Sequence, residues 1–412
     1  MTSTLVVIAA ILAAQGEAVA APAADSGSKV GESSYIDLEG GLGYSTNPYF
    51  SLAGGGGHAF VRASAHAVHT RYSARSTTTL SAYGESTSYL GGAGSQKILS
   101  LNAHHDAAVT EKLRVFGDLT GSLDENGQLT TRFLSVGPVV EPPSPVVPLP
   151  TLPDTQTIFL LSNGRTYRLG GQAGAQLALN AVSSVTARTG VEHVVLRGTG
   201  LDNSYNVYLA SAGYDRKLNA RASAGAVVDV HRANYRSGGR VSVVTPQVTG
   251  HLALSDRTDL SGAVGVSSVT LTKGAFTQHS TGLAFNGSLC RRGESDQFCV
   301  AIAREQQTES IAGPVTLVSA SLNYAKQLGA KQTVQFTAGV SRSSQPFNPL
   351  LSSGFVGRAS NLTGGASYTR ALGSRLFTGA NLSFRKLFSD GPTPKADVSG
   401  SLFLRIRLGD RQ

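Results

Sequence analysis

The chain has no Trp, one Met and two Cys among its 412 residues. Aromatic side chains make up 7% of it and charged ones 15%. A soluble core of this size draws on clusters of Leu, Met and aromatics, and such clusters are absent. Long helices are missing too, because no stretch repeats its apolar residues at the 3.6-residue period. No apolar run approaches the roughly 20 residues that a membrane-spanning helix needs. The chain is basic, at +9 with a pI near 9.6. Its Lys and Arg are scattered and not interleaved with aromatics, which excludes a nucleic-acid partner.

Catalytic signatures are equally scarce. There is no strand-to-helix elbow to hold the Ser of a G-x-S-x-G motif. No phosphate-binding glycine pattern sits between a strand and a helix. His104-His105-Asp106 is the tightest group of metal-ligating residue types. Adjacent residues on a strand point to opposite faces, so both His cannot serve one site. We therefore expect no enzyme, no cofactor and no metal centre. Cys290 and Cys299 flank a polar turn and can face each other across a hairpin. A disulfide there suits an exported, oxidising compartment; two free thiols or a metal site remain the alternatives.

What the chain has in abundance is Gly, at 48 residues, and two-residue alternation. In Ala210–Val230, Ala210, Ala212 and Tyr214 alternate with Ser211 and Gly213. After the turn Asp215–Asn219, Ala222, Ala224, Ala226, Val228 and Val230 alternate with a more polar set that includes Arg221 and Asp229. That is a strand, a tight turn and a strand, each with one apolar face. The unit returns. Tyr214/Arg216/Leu218/Arg221, Tyr324/Lys326/Leu328/Lys331 and Tyr368/Arg370/Leu372/Arg375 share one spacing. Looser copies start near Val109, Leu177 and Leu252. A repeat of roughly 35–45 residues marks one supersecondary unit used many times, here a long hairpin.

Along the chain, residues 1–22 read as an export signal. Leu5–Ala14 is its apolar core and Ala18-Val19-Ala20 its cleavage site, although no Lys or Arg precedes the core. Residues 23–33 follow as a flexible leader, 34–408 as the strand region and 409–412 as a tail. Five strands are expected from Tyr35 to Leu123 and thirteen from Thr166 to Leu408. Between them Gly137–Asp154 holds seven prolines, which rules out a central strand there. Its flanks, Gln128–Val136 and Thr155–Leu161, read as one more hairpin. Alternatively, Gly121–Arg165 is a single long loop on the other side, or one folded into the lumen with Gly137–Asp154 as a plug. Short turns alternate with longer loops such as Arg197–Ser204, Arg232–Gly239, Arg342–Gly357 and Phe388–Lys395.

Long amphipathic strands joined in this way predict an all-β, transmembrane, antiparallel up-and-down barrel of about 18 strands (about 16–20). Such a barrel is too wide for side chains to fill. Arg62, Arg188, Glu192, Arg221, Asp229, Arg385, Arg405 and Arg407 fall on the polar face and are the candidate lumen-lining selectivity residues, the arginines favouring anionic solutes. Tyr214 with Arg216, Tyr324 with Lys326 and Tyr368 with Arg370 are candidate interfacial anchors.

Leu38–Phe50 (LEGGLGYSTNPYF), the repeated Tyr-basic-Leu-basic turns and the Pro-rich break resemble the β-barrel porin type 2 family over nearly the whole mature chain. The resemblance implies the outer membrane of a Gram-negative bacterium and a link to exopolysaccharide export, and carries no catalytic residues. Expected partners are outer-membrane lipid and lipopolysaccharide, the barrel-assembly machinery and exopolysaccharide export components. Many such proteins end on an aromatic residue; this chain ends Leu408-Gly409-Asp410-Arg411-Gln412, with Phe403 the nearest aromatic. A non-conducting surface barrel acting through its loops is the alternative function.

Overall fold

The computed structural model describes residues 31–48, 56–91, 94–125, 165–197, 203–236, 238–310, 313–344, 359–389 and 395–410. The expected export signal, nearly all of the leader and Gly137–Asp154 lie outside them. Alternation of Ala, Val and Leu with polar residues produces 18 strands. The first nine are β1 (Gly31–Ser45), β2 (His58–Tyr72), β3 (Ser76–Tyr89), β4 (Ser95–Ala108), β5 (Leu113–Glu125), β6 (Arg165–Asn180), β7 (Ser183–Arg197), β8 (Asn203–Lys217) and β9 (Ala222–Tyr235). The others are β10 (Gly239–Ser255), β11 (Thr258–Lys273), β12 (Phe276–Arg292), β13 (Asp296–Ser310), β14 (Gly313–Gly329), β15 (Gln332–Ser344), β16 (Ala359–Ala371), β17 (Leu376–Ser389) and β18 (Asp397–Asp410).

Each strand pairs antiparallel with its sequence neighbours, and β1 also pairs with β18, so the sheet is closed. Closure pairs every strand with two neighbours, the condition for strands to cross lipid; only the long-loop halves of β12 and β13 are not paired with each other. Strand lengths run from 13 residues in β5 to 17 in β10, above the roughly 9–11 that a tilted crossing needs. Connections from even to odd strands are two to four residues long and define a short-turn end. The opposite end carries the longer connections, although β9–β10, β11–β12 and β13–β14 are joined there by only two or three residues.

Several boundaries differ from expectation. β5 pairs directly with β6 from Leu113↔Leu177 to Glu125↔Arg165. Residues 126–164 therefore join the two strands at the long-loop end, and Gly121 belongs to a strand. The two flanking segments considered as an extra hairpin lie outside the described residues. β1 opens inside the expected leader and β18 runs into the expected tail. Most of Arg232–Gly239 is strand, leaving only 236–238 as the turn.

Alternation decides which face meets lipid. Leu402, Leu404, Ile406 and Leu408 of β18 are exposed on the outside, up to 69% for Leu402. Phe403, Arg405 and Arg407 are buried on the inside. Each outward Leu or Val gains about 1.5–3 kcal/mol on leaving water. The seam between β1 and β18 is held in register by charge. Asp37 lies opposite Arg407 and Glu39 opposite Arg405. Arg407 Nη2 donates to Asp37 Oδ2 at 2.6 Å, and Arg405 Nη2 to Glu39 Oε2 at 2.7 Å. Near the far end of the seam the Asp397 carboxylate accepts from Ser45 Oγ at 2.7 Å and from the Asn47 N–H at 3.0 Å. A one-residue slip would turn both arginines toward lipid.

The seam predicts a charge-reversal result. Asp37→Arg should cost about 3–5 kcal/mol through two unpaired buried charges, and Asp37→Arg with Arg407→Asp should recover most of it. Heat-modifiable gel migration after refolding in urea measures both; a double variant no better than the single would reject the pairing.

Candidate functional site

The candidate site is the lumen wall, and its charges are compensated at close range. Arg62 Nη2 donates to Glu39 Oε1 at 2.6 Å while Arg405 takes the other oxygen, so one carboxylate serves two guanidinium groups. Arg407 covers Asp37 with two bonds, and its Cζ lies 4.3 Å from the Tyr35 ring centroid. Arg188 approaches Asp229 at 3.3 Å, and Arg385 approaches Asp397 at 3.6 Å. Glu192, fully buried at 0% exposure, lies 3.5 Å from Arg168. Arg114 Nε donates to Asp106 at 2.7 Å.

These residues sit inside because each occupies the polar register of its strand. Arg221 is the exception among the sequence candidates. It lies in the turn before β9, its side chain is 64% exposed, and Asp256 is 3.7 Å away. That places it on the short-turn rim, not in the wall. The sequence expectation was a wall of arginines favouring anions, tempered by Asp229 and Glu192; seven of the eight candidates are in the wall, in opposite-charge pairs.

His104 and His105 point apart, as strand geometry requires. His104 Nδ1 meets Asp118 Oδ1 at 2.6 Å, and Gln172 Nε2 donates to Asp118 Oδ2 at 3.0 Å. His105 Nδ1 meets Thr78 Oγ1 at 2.8 Å on the outer face. Among the described residues no cluster of three ligating side chains could hold a metal ion. Cys290 and Cys299 are opposite one another on β12 and β13 and form a disulfide, with Cα atoms 4.1 Å apart.

The lumen differs between its halves. Toward the short turns the inward residues are small or polar and half-buried, among them Ser64, Asn102, Gln172, Ser211, Gln247, Thr249 and Ser288. Toward the long loops, β7–β11 turn an apolar set inward: Val194, Tyr205, Val207, Ala233, Tyr235, Val241, Val243, Val269 and Leu271. Val194, Val207 and Val241 are 0% exposed. Inward side chains lining open water would keep an exposed side, as those in the other half do. Pairing between β12 and β13 extends only from Arg292↔Gln297 to Phe285↔Arg304. β13 also comes within 8 Å, Cα to Cα, of β9 and β10, strands that are not its neighbours. Beyond Arg304 β13 loses β12 but stays paired with β14 as far as Ser310↔Gly313, so that half of β13 leans inward together with the start of β14. The local sequence signal was loss of alternation: Val243-Val244 and Val194-Val195 are apolar on both faces.

Tyr214, Tyr324 and Tyr368 all face outward near the short turns. Tyr324 stacks on Phe336 of β15, with ring centroids 6.3 Å apart. Arg216, Lys326 and Arg370 are exposed two residues further on.

No family model matches the chain, and no curated protein does. Among solved structures it is similar to Pseudomonas aeruginosa OpdL, at 12% identity over 92% of this chain and 99% of that one, with a TM-score of 0.41. Pseudomonas aeruginosa OprD matches at 10% identity over 93% and 98%, with a TM-score of 0.43. The FrpB iron transporter from Neisseria meningitidis matches at 9% identity over 87% and 64%, with a TM-score of 0.47. These superpositions are loose.

Cysteine accessibility tests the two-halved lumen. Ser211→Cys should react with a small charged thiol reagent in the refolded barrel, and Val243→Cys should stay protected by at least about tenfold, the order expected when about 1.4 kcal/mol or more is needed to open the cluster. Equal labelling would show that water reaches both.

Proposed function

We propose that the chain is an outer-membrane barrel channel for polar solutes, entered through a wet vestibule at its short-turn end and closed by the apolar cluster at its long-loop end. In barrels of this architecture short turns face the periplasm and longer loops the exterior. The observation that carries the proposal is the polar, half-exposed inner wall between those ends. A barrel filled for structural reasons alone has no use for Ser, Thr, Asn and Gln on that surface, since burying them unpaired is costly. Selection by an arginine ring is not supported, because the wall arginines lie against carboxylates. We infer weak charge selectivity. The resemblance to the porin type 2 family, and with it a role in exopolysaccharide export, adds a candidate solute class: a flexible, hydroxyl-rich chain.

The closed cluster also favours a second possibility, a surface barrel that conducts nothing and acts through its loops. Planar-bilayer recording separates the two. The native chain should conduct little at rest, and replacing Val243 and Val269 with Ser should raise conductance toward the nanosiemens scale, on the order of a wide water-filled barrel. In that open variant Arg188→Gln should move the reversal potential toward cations, by leaving Asp229 less compensated. A folded barrel silent in every variant would leave the non-conducting alternative.

A further inference from the structure

Between β9 and β10 the chain reverses in three residues, 236–238. The Arg236 N–H donates to the Ser204 carbonyl at 2.9 Å, and the Gly238 N–H to the Tyr235 carbonyl at 3.0 Å. Gly238 has a φ of +86°, which glycine adopts without steric cost. Backbone hydrogen bonds at Arg236 and Gly238 therefore hold the described end of the β9–β10 hairpin. Arg232, Arg236 and Arg240 stand on it four residues apart, all exposed. Arg232 faces outward between Tyr208 and Ser242, its cross-strand neighbours. Arg240 is outward too, opposite Asn234, and its Nε donates to Asn234 Oδ1 at 3.3 Å. The outward polar surface continues on both sides. His193 Nδ1 meets Asn206 at 2.6 Å, and Thr270 meets His279 Nδ1 at 3.0 Å.

Among the described residues, no ion pair involves any of the three arginines. The short-turn rim differs: there Arg257 pairs with Glu294 at 2.7 Å and Arg221 approaches Asp256. β9 and β10, at 14 and 17 residues, outrun the roughly 9–11 needed to cross hydrocarbon. With the lower rows of these strands apolar, through Val228, Val230, Val244 and Val248, the hairpin tip stands at headgroup height.

We propose that this outward face of β8–β10 binds the phosphate-bearing headgroup of an outer-leaflet lipid. The inference rests on the outer-membrane barrel reading. Guanidinium forks match phosphate oxygens two at a time. Tyr208, beside Arg232, has the amphipathic character suited to the interface, and Asn206, Asn234 and His193 offer hydrogen-bonding partners for hydroxyl groups.

The test refolds the full chain into zwitterionic vesicles containing phosphorylated lipid A or its dephosphorylated form. Lipid retained after detergent extraction is read by native mass spectrometry. Each arginine near an anionic surface contributes about a factor of five. Arg232→Gln with Arg236→Gln and Arg240→Gln should therefore lower retention of phosphorylated lipid A about 100-fold, and Arg71→Gln with Arg75→Gln on the opposite rim should leave it unchanged. Equal retention by the triple variant, equal retention of the dephosphorylated lipid, or displacement by equimolar inorganic phosphate would each overturn the proposal. Insertion as a heat-modifiable barrel without lipid retention sinks the headgroup site alone. Failure of every variant to insert sinks the outer-membrane reading, and the site with it.

Discussion

Everything in this structure depends on the closing of the sheet. An open edge of 18 strands would carry a full strand of unpaired N–H and C=O groups, and in hydrocarbon each costs several kcal/mol. Closure brings the first strand against the last, across nearly the whole chain, where no turn sets the register. Charge supplies it instead. Asp37 and Glu39 alternate on β1 as Arg407 and Arg405 do on β18, so the two pairs match in one alignment only. A shift by two residues leaves one carboxylate and one arginine without a partner. A shift by one puts both arginines on the lipid side. Glu39 also receives Arg62 from β2, which ties the seam to its next neighbour.

Once closed, the barrel has an interior that its own side chains do not fill uniformly. The strands use one rule on the outside, apolar throughout the band, and two rules on the inside. Near the short turns the inward positions are Ser, Thr, Asn and Gln, which tolerate water. Near the loops β7–β11 turn Val, Leu and Tyr inward, which favours contact between side chains over contact with water. β13 is consistent with this. Beyond Ile302 it reads Ala303-Arg304-Glu305-Gln306, with little for lipid to favour, and its pairing with β12 stops there. With little to gain from lipid there, β13 parts from β12 while keeping its pairing with β14.

Much of the fold was legible in the sequence because barrels enforce a simple pattern. A period of two, the Tyr-basic-Leu-basic turns and the missing helices were enough for an up-and-down barrel of about 18 strands. The uncertainty in strand number came from the Pro-rich segment, whose position fitted either a turn or a loop; only the direct pairing of β5 with β6 decides it. Lumen residues were found by face, since Arg62, Arg188, Arg385, Arg405 and Arg407 all occupy the polar register. Their partners were not found. Glu39 and Arg405 are 366 residues apart, and alternation says which way a side chain points but not what it meets. The matching Asp-x-Glu and Arg-x-Arg spacings in the first and last strands were the available clue. The apolar closure went unnoticed because inward and outward Val look the same in a short run.

The distribution of arginine follows from where counter-charge is available. Most wall arginines are buried against the strands beside them, where leaving an ionised side chain unpaired costs more than at a surface. The sequence accordingly places a carboxylate beside Arg62, Arg188, Arg385, Arg405 and Arg407. At the short-turn rim, Arg221 and Arg257 meet Asp256 and Glu294 across neighbouring turns. On the β9–β10 hairpin three arginines stand close together with no carboxylate paired to them among the described residues. An anion brought from outside the chain would be stabilised there. At headgroup height, anionic lipid is the neighbour that can supply it.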